Sequence, residues 1–214
     1  MASRLVVPPA AIEWLVGEQP ATVLVIGAGG GYPSLLLGAG HDVAVVDRDV
    51  ARLTALAQRY ADNLKLHVIA ARGEALPFDP CVFDVVVSVQ NFHTMAPGLA
   101  LSEWARVLKP GGWAALAYLK RDDSIPWVKK LAALVHAKLP QAMRGDFGDD
   151  SMAGLDDSPY FPVSEERDFR LWAPCTRSEL QAQARHATGV EDLRSVDRER
   201  LVEEVGRLYD AYAR

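Results

Sequence analysis

The chain has 214 residues, 50% hydrophobic and 24% charged, a composition that supplies an apolar core and excludes disorder over most of its length. Its formal charge of -5, from 28 acidic residues against 23 Lys and Arg, offers no basic footprint and excludes nucleic acid as a direct partner. Cys81 and Cys175 stand far apart with no Cys or His companions at metal-ligand spacing, which argues against a disulfide scaffold or a zinc site and fits a reducing cytoplasm.

No export signal is read at the N-terminus, because Pro8 and Pro9 interrupt its apolar run and Glu13 follows. Ala10 to Val16 predicts a short helix stopped by Gly17. Thr22 to Ile26 is a β-branched run ending in Gly27-Ala28-Gly29-Gly30-Gly31, the pattern of a buried strand breaking into a tight loop, with Ser34 to Leu37 beginning the crossover helix after it. Gln19 to Gly40 is uncharged, but six glycines and Pro33 spoil it as a lipid-facing helix, so no membrane partner is expected.

Val43 to Asp47 predicts the second strand, and Asp49 caps a helix carrying Val50, Leu53, Leu56, Ala57 and Tyr60 on one face. Leu66 to Ala70 and Phe83 to Val89 read as a third and a fourth strand, both central. A helix through Leu101, Trp104, Ala105 and Leu108 stops at Lys109-Pro110-Gly111-Gly112, and Trp113 to Leu119 follows as the fifth strand. Strands and helices alternating at this spacing imply an α/β, doubly wound, mostly parallel sheet with helices on both faces.

Beyond it, Ser124 to about Leu139 predicts a helix, Gly145 to Pro162 a mobile acidic loop and Phe169 to Ala173 a sixth strand. Thr176 to Glu179 forms a capping box opening a helix toward Ala187. A last helix from about Asp197 places Leu201, Val205, Leu208 and Tyr212 in one stripe, expected to pack on the sheet. Together these predict a single domain over residues 1–214, with 120–165 as a helix and mobile loop inserted near the substrate side.

The glycine-rich strand-loop-helix lets bare backbone approach a ligand, since side chains would block the way. Asp47 ends the next strand, twenty positions after Gly27, where a carboxylate can accept hydrogen bonds from both hydroxyls of a ribose. An adenosine-type ligand is therefore implied. The dinucleotide fingerprint wants Gly or Ala where Tyr32 stands, which weakens NAD or FAD, and the phosphate-loop pattern fails for lack of Gly-Lys-Ser/Thr.

With Asp47 and the glycine loop stand Gly73-Glu74-Ala75-Leu76-Pro77-Phe78, Phe83-Asp84-Val85-Val86 and Ala105-Arg106-Val107-Leu108-Lys109-Pro110-Gly111-Gly112. In this joint order the chain resembles a class I S-adenosylmethionine-dependent methyltransferase, with a Rossmann-like fold, from about Pro9 to Arg185. Asn91-Phe92-His93, Pro126-Trp127 and the segment from Phe169 to Leu180 look most like the small-molecule, type 11 branch that includes trans-aconitate methyltransferases.

The resemblance implies S-adenosylmethionine as cofactor, with Gly27, Ala28, Gly29 and Gly31 against its methionine and ribose. It implies ribose binding by Asp47 with Arg48 beside it, Gly73 and Glu74 bordering adenine, and Gln90 near the cofactor. Asn91, His93 and Trp127 are the implied acceptor contacts, with His93 as candidate base. Val25 and Arg72 depart from the usual pattern, Tyr32 could narrow the methionine pocket, and the N-terminal lid segment is short.

In-line displacement requires the nucleophile, methyl carbon and sulfur to be held collinear away from water; no metal is needed. A base is needed only when the nucleophile loses a proton, whereas a carboxylate acceptor would need a cationic clamp, for which Lys120, Arg121 and Lys129 are candidates. The expected activity is methyl transfer to a small molecule. The alternatives are a catalytically silent binding module, motivated by Val25 and Arg72, and a nicotinamide-dependent oxidoreductase.

Overall fold

The computed structural model describes residues 7–142, 155, 158–171 and 174–212. These fall into two compact units, a sheet unit over 7–119 with the described residues of 155–169, and a helical unit over 120–142 with the described residues from 170 onward.

In the sheet unit, β1 (Thr22–Ile26), β2 (Asp42–Asp47), β3 (Leu66–Ala70), β4 (Phe83–Val89) and β5 (Leu108–Ala117) form a parallel sheet in the order β3-β2-β1-β4-β5. Connecting helices are α1 (Pro9–Val16), α2 (Tyr32–Gly38), α3 (Val50–Arg59) and α4 (Pro97–Val107). β1 reads as a continuous apolar run because helices cover both sides. Val23, Val25, Val43 and Val45 pack against α1, α2 and α3, whereas Leu24, Ile26, Ala44 and Val46 face Leu101, Trp104 and Val107 of α4. Each such fully buried side chain contributes about 1.5–3 kcal/mol.

Strand order reverses between β1 and β4. The chain winds outward from β1 through β2 to β3, then returns to β4 on the other side, leaving a crevice beyond the carboxyl ends of β1 and β4. The glycine loop and the segment from Gln90 to Met95 both leave the sheet there. Asp49 caps α3 as expected, accepting from the N–H groups of Ala51 and Arg52.

Several expectations are corrected. β3 is an edge strand, not a central one. Lys109-Pro110-Gly111-Gly112 does not separate α4 from β5 but lies inside β5, with Gly111 at φ 83° and a register irregularity opposite Phe83 to Val85. A Cβ on Gly112 would fall 2.7 Å from the Asp84 carbonyl oxygen, so close approach of β4 requires glycine there. Val50 is 60% exposed, while Leu53 alone of the expected face of α3 is fully buried.

Residues 169–171 form no strand, and the remaining two positions of the expected sixth strand, Trp172 and Ala173, lie outside the described residues. Most of the expected 145–162 loop lies outside them as well, but Leu155 and Phe161 pack on the α4 side of the sheet.

The helical unit contains α5 (Pro126–His136), α6 (Arg177–Arg185) and α7 (Ser195–Tyr212). Leu131 and Val135, Leu180 and Ala184, and Leu201 and Val205 close one core among the three. Leu201, Val205 and Leu208 of the α7 stripe thus pack on α5 and α6 within this unit. The capping box is present, with Thr176 accepting from the Glu179 N–H at 3.3 Å and Glu179 accepting from the Thr176 N–H at 2.8 Å. No helix among the described residues is long and apolar enough to cross a membrane.

Candidate functional site

The loop after β1 starts where the Gly27 N–H donates to the Val46 carbonyl at 2.7 Å, and three of its glycines adopt positive φ, Gly27 at 104°, Gly30 at 74° and Gly31 at 75°. Their requirements differ. A Cβ on Gly27 would lie 2.9 Å from Asn91 Nδ2, and one on Gly30 only 2.5 Å from Cε2 of Tyr32. Those positions are explained by the protein's own neighbours and backbone. Gly29 is exposed, its φ lies outside the left-handed region, and a Cβ there would meet nothing within 4 Å among the described residues. Nothing in the fold demands glycine at that position.

Asp47 closes the base of the loop. Its Oδ2 accepts from the Ala28 N–H at 2.8 Å and its Oδ1 from the Asp49 N–H at 2.9 Å, so one carboxylate ties the glycine loop to the start of α3. Two oxygens offer about four acceptor directions, leaving capacity for hydroxyl donors. Arg48 is exposed at the next position.

Tyr32 is buried, with its ring folded back onto Gly30, and burial raises its phenol pKa. The ring lies against Gly30 and leaves the Cβ directions of Gly29 and Gly31 clear.

Gly73 packs where a Cβ would fall 2.7 Å from Met95 Sδ and 2.9 Å from Ile26 Cγ2, which places the loop after β3 against the end of β1. Glu74 is less available than expected. Its side chain is 14% exposed, with Oε1 accepting from the Ala96 N–H at 3.4 Å and Oε2 lying 3.9 Å from Arg72 Nε. Arg72 is thus a long-range partner of Glu74, and Val25, the other departure, is buried in the sheet core.

After β4, Gln90 takes φ 55°, a left-handed conformation that costs a non-glycine residue of order 1 kcal/mol and is enriched at functional sites. Its N–H donates to the Ala117 carbonyl at 2.9 Å and its Nε2 to that of Leu119 at 3.4 Å. Asn91 reaches back to the glycine loop, Nδ2 donating to the Ile26 carbonyl at 3.4 Å while Oδ1 accepts from Thr94 Oγ1 at 3.1 Å. His93 is exposed, its backbone N–H bound to the Tyr118 hydroxyl at 3.1 Å.

The structure therefore gathers Gly27, Ala28, Asp47, Gly73 and Asn91 around the ends of β1 and β2. Trp127 lies on α5, partly buried against the core of the helical unit. Arg121 is already engaged by Asp123, its Nη2 donating to Oδ2 at 2.8 Å. Met95, Glu103 and Tyr118, which line or brace these loops, were not singled out from the sequence, and Trp104 and Arg106 were read only as part of a helix and a motif. Glu103 and Arg106 gave the available signal, opposite charges three residues apart on α4.

Comparison with known proteins bears on this geometry. Residues 24–116, from β1 to β5, match the family described as a methyltransferase domain. An uncharacterized methyltransferase of Mycobacterium tuberculosis is 34% identical over 129 residues, covering 60% of this chain and 52% of the relative. One of Schizosaccharomyces pombe is 36% identical over 134 residues, with the same coverages of 60% and 52%.

The chain spans about half the length of these curated relatives. A structure from Anabaena variabilis, named as a methyltransferase from an antibiotic biosynthesis pathway, superposes with a TM-score of 0.53 at 19% identity, covering 73% of this chain and 63% of its own. At that identity the likeness concerns the fold alone, a Rossmann-like parallel sheet covered by helices.

Proposed function

We propose that the crevice beyond β1 and β4 binds S-adenosylmethionine and that the protein transfers its methyl group to a small-molecule acceptor in the cytoplasm. Gly29 carries the reading. It follows Ala28, whose N–H is held by the Asp47 carboxylate, and among the described residues neither backbone conformation nor neighbouring atoms call for glycine there. An approaching ligand supplies the missing reason.

The residues present fit such a ligand. Gly27, Ala28, Gly29 and Gly31 form the backbone cradle, Asp47 takes the ribose hydroxyls with Arg48 alongside, and Gly73 and Glu74 stand on the adenine side. Gln90 borders the cofactor, and Asn91 and His93 face the acceptor. When bound, the sulfonium supplies an electrophilic methyl group. The chain's task is to hold the nucleophile in line with it and to exclude water. His93 takes the proton where the nucleophile is a phenol or an amine. The acidic charge balance supports a small acceptor over nucleic acid.

Calorimetry on the purified protein tests the cofactor. S-adenosylmethionine and S-adenosylhomocysteine are expected to bind while NAD and NADP do not; folded protein that ignores both adenosyl ligands refutes the reading. Asp47→Asn is expected to weaken S-adenosylhomocysteine at least about tenfold. Incubation with methyl-labelled cofactor and pools of small acids, phenols and amines should place label in a small product, and label confined to macromolecules would overturn the acceptor class.

A further inference from the structure

The loop 73–78 owes its shape to side chains rather than to a strand ladder. Its only β-bridge among the described residues is the antiparallel pair Arg72–Ala75, which closes its own turn. Three side chains of α4, all within four positions, hold its backbone instead. Trp104 Nε1 donates to the Gly73 carbonyl at 3.0 Å in a buried contact, and the Leu76 N–H donates to Glu103 Oε2 at 2.9 Å. Arg106 spreads its fork over two more carbonyls, Nη2 to Leu76 at 3.0 Å and Nη1 to Phe78 at 2.7 Å. Glu103 and Arg106 also bind each other at 2.8 and 2.9 Å, which locks both rotamers.

We propose that Glu103, Trp104 and Arg106 are positioning residues that set the adenine-side loop in the geometry that receives the cofactor, an inference that rests on the function proposed above. The helix that carries them is itself fixed, with Ala100, Leu101, Trp104 and Val107 buried against the sheet. The same helix begins at Ala96, whose N–H meets Glu74, so both ends of Gly73-Glu74 are referred to α4. Guanidinium is the group suited to this work, because its planar fork satisfies two carbonyls and one carboxylate at once, whereas an ammonium acts as a single point of charge. The Arg106 guanidinium correspondingly holds the Glu103 carboxyl below the usual carboxylate range.

The test uses ligand halves. S-adenosylhomocysteine and 5′-methylthioadenosine share the adenosyl end, so a misplaced adenine-side loop weakens both alike. Arg106→Ala is expected to lower the affinity of each by about tenfold, measured by calorimetry well below the melting transition of the variant. Arg106→Lys, which keeps the charge but loses the fork, serves if the alanine variant does not fold and should weaken both ligands severalfold. Glu103→Gln retains an acceptor for the Leu76 N–H and should weaken both ligands less than Arg106→Ala does.

A purely structural role would lower the melting temperature and leave both affinities of the folded protein unchanged. Wild-type affinity in the Arg106 variants, or loss confined to S-adenosylhomocysteine, overturns the positioning assignment while the cofactor reading stands. Wild-type protein that binds neither ligand removes the cofactor reading and this one with it.

Discussion

Substituting leucine for Gly29 puts an isobutyl group into the space where the adenosyl ligand is assigned, without disturbing the fold that surrounds it. The φ of Gly29 lies outside the left-handed region, and its Cβ direction is empty for 4 Å, so neither strain nor overpacking opposes the change. Surface substitutions of this kind alter stability by about 0.5 kcal/mol or less, and loss of glycine freedom in the unfolded chain offsets part of that. The melting temperature of Gly29→Leu should therefore stay within about 2 °C of wild type.

Binding should respond very differently. A side chain filling the approach to the backbone is expected to weaken S-adenosylhomocysteine at least about 100-fold, close to 2.7 kcal/mol. Gly30→Ala is the opposite control. Its φ of 74° costs a residue with a Cβ about 1–2 kcal/mol, and a Cβ placed 2.5 Å from the Tyr32 ring adds about 1–3 kcal/mol of overpacking. That variant should lose several degrees of thermal stability. Thermal melts and calorimetry on the two proteins decide the matter, and a Gly29→Leu protein that binds the ligand as wild type does would refute the cradle.

Further outcomes concern stability. Ser88 is fully buried on β4 and its Oγ has no hydrogen-bond partner among the described residues, so Ser88→Ala should stabilise the protein by about 1 kcal/mol in urea unfolding. His41, 2% exposed, accepts the Ala21 N–H on Nδ1 at 3.1 Å, and burial followed by the Lys65 charge lowers its pKa. The unfolded chain therefore binds a proton first, near pH 6.5, and stability should fall as the pH drops from there and level off below the folded value; His41→Gln should flatten that slope in melts across pH. Thr176→Ala removes the cap of α6 and should cost about 1 kcal/mol, seen as a lower melting temperature.

The features that were legible in the sequence are those decided locally. β1, β2 and β4 follow from runs of branched apolar residues, the Asp49 and Thr176 caps from short-range side-chain reach, and Gly27 with Asp47 from their spacing across one strand-helix-strand unit. The edge position of β3 is set by strand order, which its own five residues do not encode. Lys109 to Gly112 carries three stop signals, yet β5 begins at Leu108 because β4 runs alongside, with Lys109 Nζ bound to Asp84 Oδ1 at 2.8 Å. Amphipathy on α7 announced a buried face and not its partner.

At the candidate site, the bracing by Glu103 and Arg106 was hidden for the same reason. Their partners Leu76 and Phe78 lie 27 to 30 residues upstream, beyond the reach of any periodic pattern.

One carboxylate stands between two backbone donors, from Ala28 on one side and Asp49 on the other. The hollow is thus shaped in advance by the very group assigned to grip the sugar, and a ligand arriving there need not spend affinity on ordering the bend. It follows that this position is a poor one for tuning: drift at Asp47 would slacken the vessel and release its contents in a single step.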